Sequence, residues 1–309
     1  MLRSRLAPTP SGFLHLGNVF SFVLTWLIVR KQHGHLHLRI DDLDADRAKP
    51  AFYDDIFTTL DWLGLDYDSG PRSTEDCLRH WSQRHRLPAY NQALERLVQQ
   101  GVIYACECSR SLLATQAPDG VYPGNCRAKN LPLTAPNLAW RMILPRETTI
   151  AFHDVQLGEV SIDAALGQGD VVLCRRDGIP AYHIASLVDD IEQDITFIVR
   201  GEDLLPSTAV QVAIAQTLGT EALSGKSSQT LPNRFANVQF LHHALLKEDS
   251  GKKLSKSHDS LSLKAMREQG ILREEVYGRC AEFLGITMEN PSLQALLEAF
   301  SLQEILSTK

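Results

Sequence analysis

Leu2-Arg3-Ser4-Arg5-Leu6-Ala7-Pro8-Thr9-Pro10-Ser11-Gly12-Phe13-Leu14-His15-Leu16-Gly17-Asn18 begins with a residue-by-residue alternation and breaks on two prolines and a glycine. It then delivers a histidine to an apolar run over 19–29. Alternation at period two marks a strand, the Pro and Gly cluster a turn, and the run a buried helix. A second alternating segment, His35-Leu36-His37-Leu38-Arg39-Ile40, follows and leads into Asp41-Asp42-Leu43-Asp44-Ala45-Asp46. Two strands around one helix make a βαβ unit, whose strands are parallel and whose crossover is right-handed. The expected fold class is therefore α/β.

Outward from this unit, apolar residues at helical spacing predict helices over 52–63 and 87–100. From 104 to 157 the texture changes to loops rich in Pro, Asn and Thr that hold three of the six cysteines, which reads as an insert. Strand-like Asp170-Val171-Val172-Leu173-Cys174 and Ile195-Thr196-Phe197-Ile198-Val199 restore the α/β pattern. Ser224-Gly225-Lys226-Ser227-Ser228-Gln229-Thr230 reads as a polar linker, and a mostly helical tail follows it to Lys309. No internal repeat is visible at a solenoid period.

The 309 residues suggest two domains on a prior of ~150 residues each. With 22% charged and 44% hydrophobic residues the chain is neither disordered nor collagenous. Lys+Arg 31 against Asp+Glu 37 gives a net charge of -6, so a nucleic acid has to be met by a local basic face. The apolar run over 19–29 contains Ser21 and Thr25 and is shorter than the ~20 residues that cross a bilayer. Arg30-Lys31-Gln32-His33 follows it where a signal peptide would have small residues, so a cytoplasmic protein without membrane association is expected. Cys106-Glu107-Cys108 then suggests a metal more than a disulfide, while Cys77, Cys174 and Cys280 read as buried thiols.

Two segments can carry chemistry on phosphate. The turn before His15 places free helix N–H groups and the positive end of a helix dipole where an anion binds, and a histidine there can donate to a phosphate oxygen. Neither GxxxxGK[ST] nor GxGxxG is present in this stretch. Lys252-Lys253-Leu254-Ser255-Lys256-Ser257, after Asp249-Ser250-Gly251, offers point charges for a polyphosphate on a pliable loop. Asp42, Asp44 and Asp46 match the first ligand positions of a calcium loop, but Arg47 stands at the required glycine and Tyr53 at the terminal glutamate, so that reading is rejected.

The His-Leu-Gly-Asn turn and the distant Lys-Leu-Ser-Lys-Ser together resemble the signature pair of class I aminoacyl-tRNA synthetases. Arg5-Leu6-Ala7-Pro8-Thr9-Pro10-Ser11-Gly12-Phe13-Leu14-His15-Leu16-Gly17, Leu38-Arg39-Ile40-Asp41-Asp42-Leu43-Asp44 and Val199-Arg200-Gly201-Glu202-Asp203-Leu204-Leu205 are similar to the glutamyl subgroup. The chain ends soon after Lys-Leu-Ser-Lys-Ser, where full glutamyl-tRNA synthetases continue into an anticodon-binding region. With its cysteine-bearing insert it resembles the paralogues that attach glutamate to the queuosine base of tRNA(Asp).

That resemblance implies a Rossmann-like parallel sheet, its first half over 1–103 and its second over 170–240. A zinc-binding subdomain would be inserted over 104–169, and a helical stem-contact region carrying the KLSKS loop would cover 241–309. It assigns His15, Lys253 and Lys256 to catalysis, and His15, Gly17, Asn18, Lys253, Ser255 and Lys256 to ATP. L-Glutamate falls to Arg5, Leu6, Ala7, Pro8, Thr9, Asp41, Tyr182 and Arg200. In this assignment the arginines pair with the carboxylates, Asp41 meets the ammonium group and Tyr182 adds a directional hydroxyl. The family usually has Ser at Thr9 and Glu at Asp41, and Asp42 is an adjacent competitor for the acidic role.

The paralogues' pattern places one Zn2+ on Cys106, Cys108, Tyr122 and Cys126, with water or His153 as the alternative fourth donor. ATP with Mg2+ and a queuosine-bearing tRNA(Asp) are the implied substrates, and no obligate protein partner is implied. Arg72, Arg79, Arg84, Arg86, Lys264, Arg267, Arg273 and Arg279 are candidates to meet RNA phosphates. The rival readings are a compact glutamyl-tRNA synthetase charging the 3′ end of tRNA(Glu) and a non-catalytic tRNA-binding paralogue.

Overall fold

The computed structural model describes residues 1–117, 120–144, 149–163, 169–219, 234–245 and 262–302. The segment expected as a linker over 224–230 and the one carrying Lys253, Ser255 and Lys256 lie outside the described residues. In chain order the described elements begin with β1 (Arg3–Leu6), α1 (Leu16–Lys31), β2 (His35–Leu38), α2 (Pro50–Trp62) and the short α3 (Thr74–Asp76). Then come α4 (Leu87–Gln99), β3 (Ile103–Cys106), α5 (Arg110–Gln116), β4 (Ala139–Met142), β5 (Thr149–Asp154) and β6 (Gly158–Asp163). They continue with β7 (Val172–Cys174), α6 (Tyr182–Glu192), β8 (Phe197–Gly201), α7 (Leu205–Leu218) and β9 (Gln239–His243). The last three are α8 (Leu263–Glu268), α9 (Arg273–Phe283) and α10 (Leu293–Ala299).

These elements form two compact units, the first of Met1–His85, Ile195–Asp203 and Gln239–Lys309, the second of Arg86–Asp194 and Leu204–Val238. In the first unit β1 and β2 are parallel, Arg3 opposite His35 and Leu6 opposite Leu38, with α1 as the crossover. The Thr196 N–H donates to the Arg3 carbonyl at 2.9 Å and the Thr196 hydroxyl accepts the Arg3 N–H at 2.9 Å, which stitches the entry of β8 to β1. β8 runs parallel to β9, with Arg200 opposite His242. This is the parallel α/β arrangement expected from the sequence.

α1 is apolar on every face, and ten of its sixteen residues are buried, so it has to be covered from all sides. Its C-terminal Lys31 donates to the Leu297 and Glu298 carbonyls at 3.1 and 3.2 Å, filling acceptors at the end of α10. α2 starts with Pro50, whose missing N–H costs nothing in a first turn. α8 is fastened to it by Arg267, which donates to Asp55 and Thr59, both at 2.5 Å. Tyr277 on α9 donates to the Leu63 carbonyl at 2.6 Å.

The second unit holds the antiparallel sheet β3-β4-β7 and the hairpin β5–β6. β4 and β5 lie in the region expected to be irregular, and β7 pairs antiparallel with β4 where the family resemblance implies the parallel sheet. Arg86 anchors α6 by donating to Asp189 at 2.5 Å and Glu192 at 2.7 Å, and the Tyr90 hydroxyl on α4 donates to Asp189 at 2.8 Å. Among the described residues no helix is long and apolar enough to cross a membrane. Cys77, Cys174 and Cys280 are buried free thiols, as expected, and burial pushes them up to about 12, 11 and 12.

Candidate active site and metal centre

His15 is the N-cap of α1, with extended backbone that turns the chain out of the Pro and Gly segment. The Asn18 side chain reaches back to accept the His15 N–H at 3.2 Å, and the Asn18 N–H donates to the His15 carbonyl at 2.9 Å. A side chain at Gly17 would crowd the ring, since its Cβ would stand 3.1 Å from His15 Cε1. His15 also bridges Ser262, and Leu263 N–H donates to the Leu14 carbonyl at 2.8 Å. The described chain therefore resumes, after the lysine segment, directly against the histidine turn.

The two aspartates after β2 have different jobs. Asp42, 1% exposed, accepts the Gln83 N–H at 2.8 Å on one oxygen and the Tyr53 hydroxyl at 2.8 Å on the other, so both oxygens are engaged inside the protein. Asp41 is 9% exposed, and its Oδ1 accepts Arg39 Nε at 2.6 Å and Gln83 Nε2 at 3.3 Å, while Oδ2 takes the longer 3.5 Å contact from Arg39. Its N–H donates to the Pro8 carbonyl at 2.9 Å, holding it beside Ala7, Pro8 and Thr9. Of the competing pair, Asp41 is the more exposed, 9% against 1%.

Arg5 on β1 and Arg200 on β8 are 6% and 3% exposed, both in the C-terminal half of their parallel strands. Ligands of open α/β sheets sit at that edge, and buried guanidinium groups there suit a carboxylate substrate. Leu6 and Pro8 are buried, Ala7 is half-buried and Thr9 is exposed. Tyr182 belongs to the second unit, where it opens α6 with 44% of its surface exposed.

In the second unit Cys106 ends β3, and Cys108, Tyr122 and Cys126 converge on it from the loops that follow. The Tyr122 hydroxyl lies 3.4 Å from Cys106 Sγ and 3.7 Å from Cys108 Sγ, and Cys108 and Cys126 Sγ are 3.5 Å apart. A disulfide needs about 2.05 Å, so the thiols are free. A tetrahedral zinc with bonds of about 2.3 Å to sulfur and 2.0 Å to oxygen has edges of about 3.8 and 3.5 Å, close to these separations. The three sulfur atoms lie within 4.8 Å of one another and all four side chains are buried, so the cluster can hold a metal ion. His153 does not join them; it lies on the exposed face of the β5–β6 hairpin, 2.8 Å from Glu159.

Electrostatics differentiate the donors. Burial alone raises Cys106, but hydrogen bonds from Tyr122, the Cys108 N–H and Arg141 outweigh it and hold the thiol below its ordinary range. Burial and the neighbouring thiols push Cys108 up to about 11 and Tyr122 higher still. Arg141 covers the Tyr122 ring with its guanidinium carbon 3.8 Å from the centroid.

The hub behind this cluster is Asp170, whose position at the start of a strand-like run gives no sign of this role. It accepts the Tyr104 hydroxyl at 2.6 Å, the Leu144 N–H at 2.9 Å and the Arg127 guanidinium. Burial would raise its carboxyl, yet these donors keep it below the usual carboxylate range. Arg127 follows Cys126 directly, so Asp170 ties the cysteine-bearing loop to the β3-β4-β7 sheet.

The profile of the tRNA synthetases class I (E and Q), catalytic domain, matches residues 1–308. The chain belongs to the class I (E and Q) tRNA synthetases. It is thereby a ligase, with the α/β catalytic fold of that class. The Glutamyl-Q tRNA(Asp) synthetase of Symbiobacterium thermophilum is 35% identical over 323 residues, covering 99% of this chain and 94% of that protein. The Glutamyl-Q tRNA(Asp) synthetase of Nitratidesulfovibrio vulgaris is 35% identical over 93% of this chain and 87% of its own length. A glutamate tRNA ligase from Elizabethkingia meningosepticum, solved with its amino acid, superposes with a TM-score of 0.74 at 26% identity. That match covers 97% of this chain and 65% of the ligase.

Within this synthetase some cations expected to meet RNA are spent internally. Arg86 is held by Asp189 and Glu192, and Arg267 by Asp55 and Thr59. Arg72 lies 4.2 Å over the Tyr67 ring and donates to the Tyr67 carbonyl at 2.9 Å. Arg84 and Arg279 are exposed. Gln83, which touches both aspartates, gave no signal in the sequence, because its partners stand 41 and 42 positions away.

Proposed function

We propose that this chain activates L-glutamate with MgATP and transfers it to the queuosine base at the wobble position of tRNA(Asp). The observation that carries this reading is its 35% identity, along 99% of its length, to a Glutamyl-Q tRNA(Asp) synthetase. The glutamate α-carboxylate attacks the α-phosphate of ATP, forming the glutamyl-adenylate anhydride and releasing pyrophosphate. A hydroxyl of the queuosine cyclopentenediol then attacks the acyl carbon, forming an ester, expelling AMP and giving its proton to solvent. No protein nucleophile takes part.

In this scheme Arg5 and Arg200 hold the carboxylates of glutamate, Asp41 its ammonium group, and Tyr182 adds a hydroxyl. His15, at the exposed N–H end of α1, donates to phosphate oxygens as charge builds, helped by Gly17 and Asn18. Lys253 and Lys256 neutralise the departing pyrophosphate and the Ser255 hydroxyl hydrogen-bonds ATP, so Lys256→Ala slows adenylation. Cys106, Cys108, Tyr122 and Cys126 hold one Zn2+, which fastens a loop region poor in apolar residues. The separations of their donor atoms, close to tetrahedral edges, support that assignment.

Glutamate-dependent exchange of pyrophosphate into ATP, measured without RNA, tests the activation step. Exchange supports the reading, and its absence moves the chain toward a tRNA-binding module. A second reading, charging the 3′ end of tRNA(Glu), has behind it the likeness to a glutamate tRNA ligase at 26% identity. The nature of the RNA labelled separates the two.

A further inference from the structure

We infer that Gln83 is a positioning residue that sets the orientation of Asp41 and, through it, the affinity for the amino acid. The inference rests on the reading of Asp41 as the partner of the glutamate ammonium group. Gln83 is 3% exposed and touches both aspartates with different parts of itself. Its main-chain N–H donates to Asp42 Oδ1 at 2.8 Å, and its side-chain amide donates to Asp41 Oδ1 at 3.3 Å. The first contact, with the Tyr53 hydroxyl at 2.8 Å on the other oxygen, fixes Asp42 and hence the chain at its neighbour. The second acts on the Asp41 carboxylate itself.

An aspartate carboxylate turns easily about its last torsion, which is broad and roughly two-fold. Asp41 Oδ1 is gripped by donors from two separate segments, Arg39 at 2.6 Å just after β2 and Gln83 at 3.3 Å from the start of a short 3-10 helix over Gln83–Arg86. Two donors on one oxygen set the plane of the group and turn Oδ2 to its other side. The two grips differ in kind. Arg39 is 3% exposed and neutralises Asp41, so removing it strands a buried charge. Gln83 is neutral, so it orients the carboxylate without drawing further on the charge an ammonium group needs. A cation at position 83 would compete with that ammonium, and an anion would repel Asp41.

Gln83 touches Asp41 and Asp42; Arg39 stands on Asp41 and Tyr53 on Asp42, and Cys77, Asp76 and Arg84 act electrostatically on this cluster. Tyr53 and Cys77 are both raised by burial and stay neutral at working pH, so they do not titrate with a new acid at 83. Gln83→Ala keeps the main-chain contact to Asp42 and deletes only the contact to Asp41. Gln83→Glu keeps the length and makes the contact dependent on a proton. Protonated, the new acid donates to Asp41 as the amide does; ionised, it pushes Asp41 away.

The test is pyrophosphate exchange titrated with glutamate and with ATP, for wild type and both variants, from mildly acid to mildly alkaline pH. Gln83→Ala is expected to raise KM for glutamate about fivefold to tenfold, the worth of one ordinary hydrogen bond, with kcat and KM for ATP changed less than about twofold. In Gln83→Glu the ratio of its glutamate KM to that of wild type is expected to rise with pH. An alanine variant with wild-type KM for glutamate, or a flat KM ratio in the glutamate variant, overturns the inference. If the alanine variant does not fold, the pH course of the isosteric one decides alone. Glutamate-dependent exchange in wild type with unaffected variants sinks the inference and leaves the functional reading standing. No exchange in wild type removes the reading and the inference with it.

Discussion

A Cβ on Gly17 would stand 3.1 Å from Cε1 and 3.2 Å from Nδ1 of His15, so the first turn of α1 leaves open the space that the imidazole fills. Gly17→Ala therefore shifts the ring by a few tenths of an ångström while the helix gains the better helix former. We expect pyrophosphate exchange to slow about tenfold, because small displacements of a group that meets the transition state are costly. Alanine within a helix is worth about 0.5–1 kcal/mol over glycine, so thermal stability should not fall. A variant with wild-type exchange, or one that loses activity only by melting, contradicts the role given to His15.

Arg267 and Arg279 look alike in sequence and should behave differently. Arg267 pairs with Asp55, whose side chain is 3% exposed, at 2.5 Å. Arg267→Ala strands that buried carboxylate and should cost about 3–5 kcal/mol in urea denaturation. Arg279 is exposed on α9, and Arg279→Ala should stay within about 0.5 kcal/mol of wild type. Equal effects would mean that the ion pair between α8 and α2 is not what holds α8 in place.

Gly169 pairs with Tyr122 in an isolated bridge, has φ +63°, and would carry a Cβ 2.4 Å from the Tyr122 carbonyl oxygen. Only glycine lets that strand entry pass so close to Tyr122, which packs in the cysteine cluster. Gly169→Ala is expected to lower bound zinc, measured on protein purified under reducing conditions, and to lower the melting temperature. Chelator should lower the wild-type melting curve toward that of the variant. Purified wild type without zinc, and a melting curve that chelator does not move, would rule out a structural metal.

His243 should give the fold part of its acid sensitivity. Burial holds its imidazole below the ordinary value of 6.5, with Nε2 2.6 Å from the Ser21 hydroxyl oxygen and Nδ1 2.8 Å from the Ala244 carbonyl. The unfolded chain thus takes up a proton at a higher pH than the native one does. Stability is full above about 6.5 and declines as pH falls through the interval down to the native pKa, because there the unfolded state binds more protons. Urea midpoints should fall from neutral to mildly acid pH in wild type, and less steeply in His243→Gln. Parallel pH courses would assign the acid limb to other groups.

The parts of this structure that could be read from its sequence are those whose pattern is local. β1, α1 and β2 were legible because the alternation of 2–6 and 35–40 brackets an apolar run that a Pro and Gly turn starts and charged residues stop. The Cys-x-Cys pair pointed to a metal by itself, and the convergence of Tyr122 and Cys126 on it was implied by the family resemblance. β4 stayed hidden because an arginine stands among its inward residues: Arg141 is 7% exposed and spends its charge on the Asp170 carbonyl and the Tyr122 ring. Asp170 and Gln83 do their work across the sequence, on Arg127 and Tyr104 in one case and on Asp41 and Asp42 in the other. No periodicity or spacing announces such pairs. The antiparallel pairing of β7 was equally out of reach, because a short apolar strand reads the same in either direction.

The most direct measurement is transfer of labelled glutamate to purified tRNA(Asp) with and without queuosine, with tRNA(Glu) alongside. Label on the queuosine-containing tRNA(Asp) alone, in an ATP-dependent reaction, is the expected result. Label on tRNA(Glu), or equal label on tRNA(Asp) lacking queuosine, would contradict the assignment of this synthetase to the anticodon base.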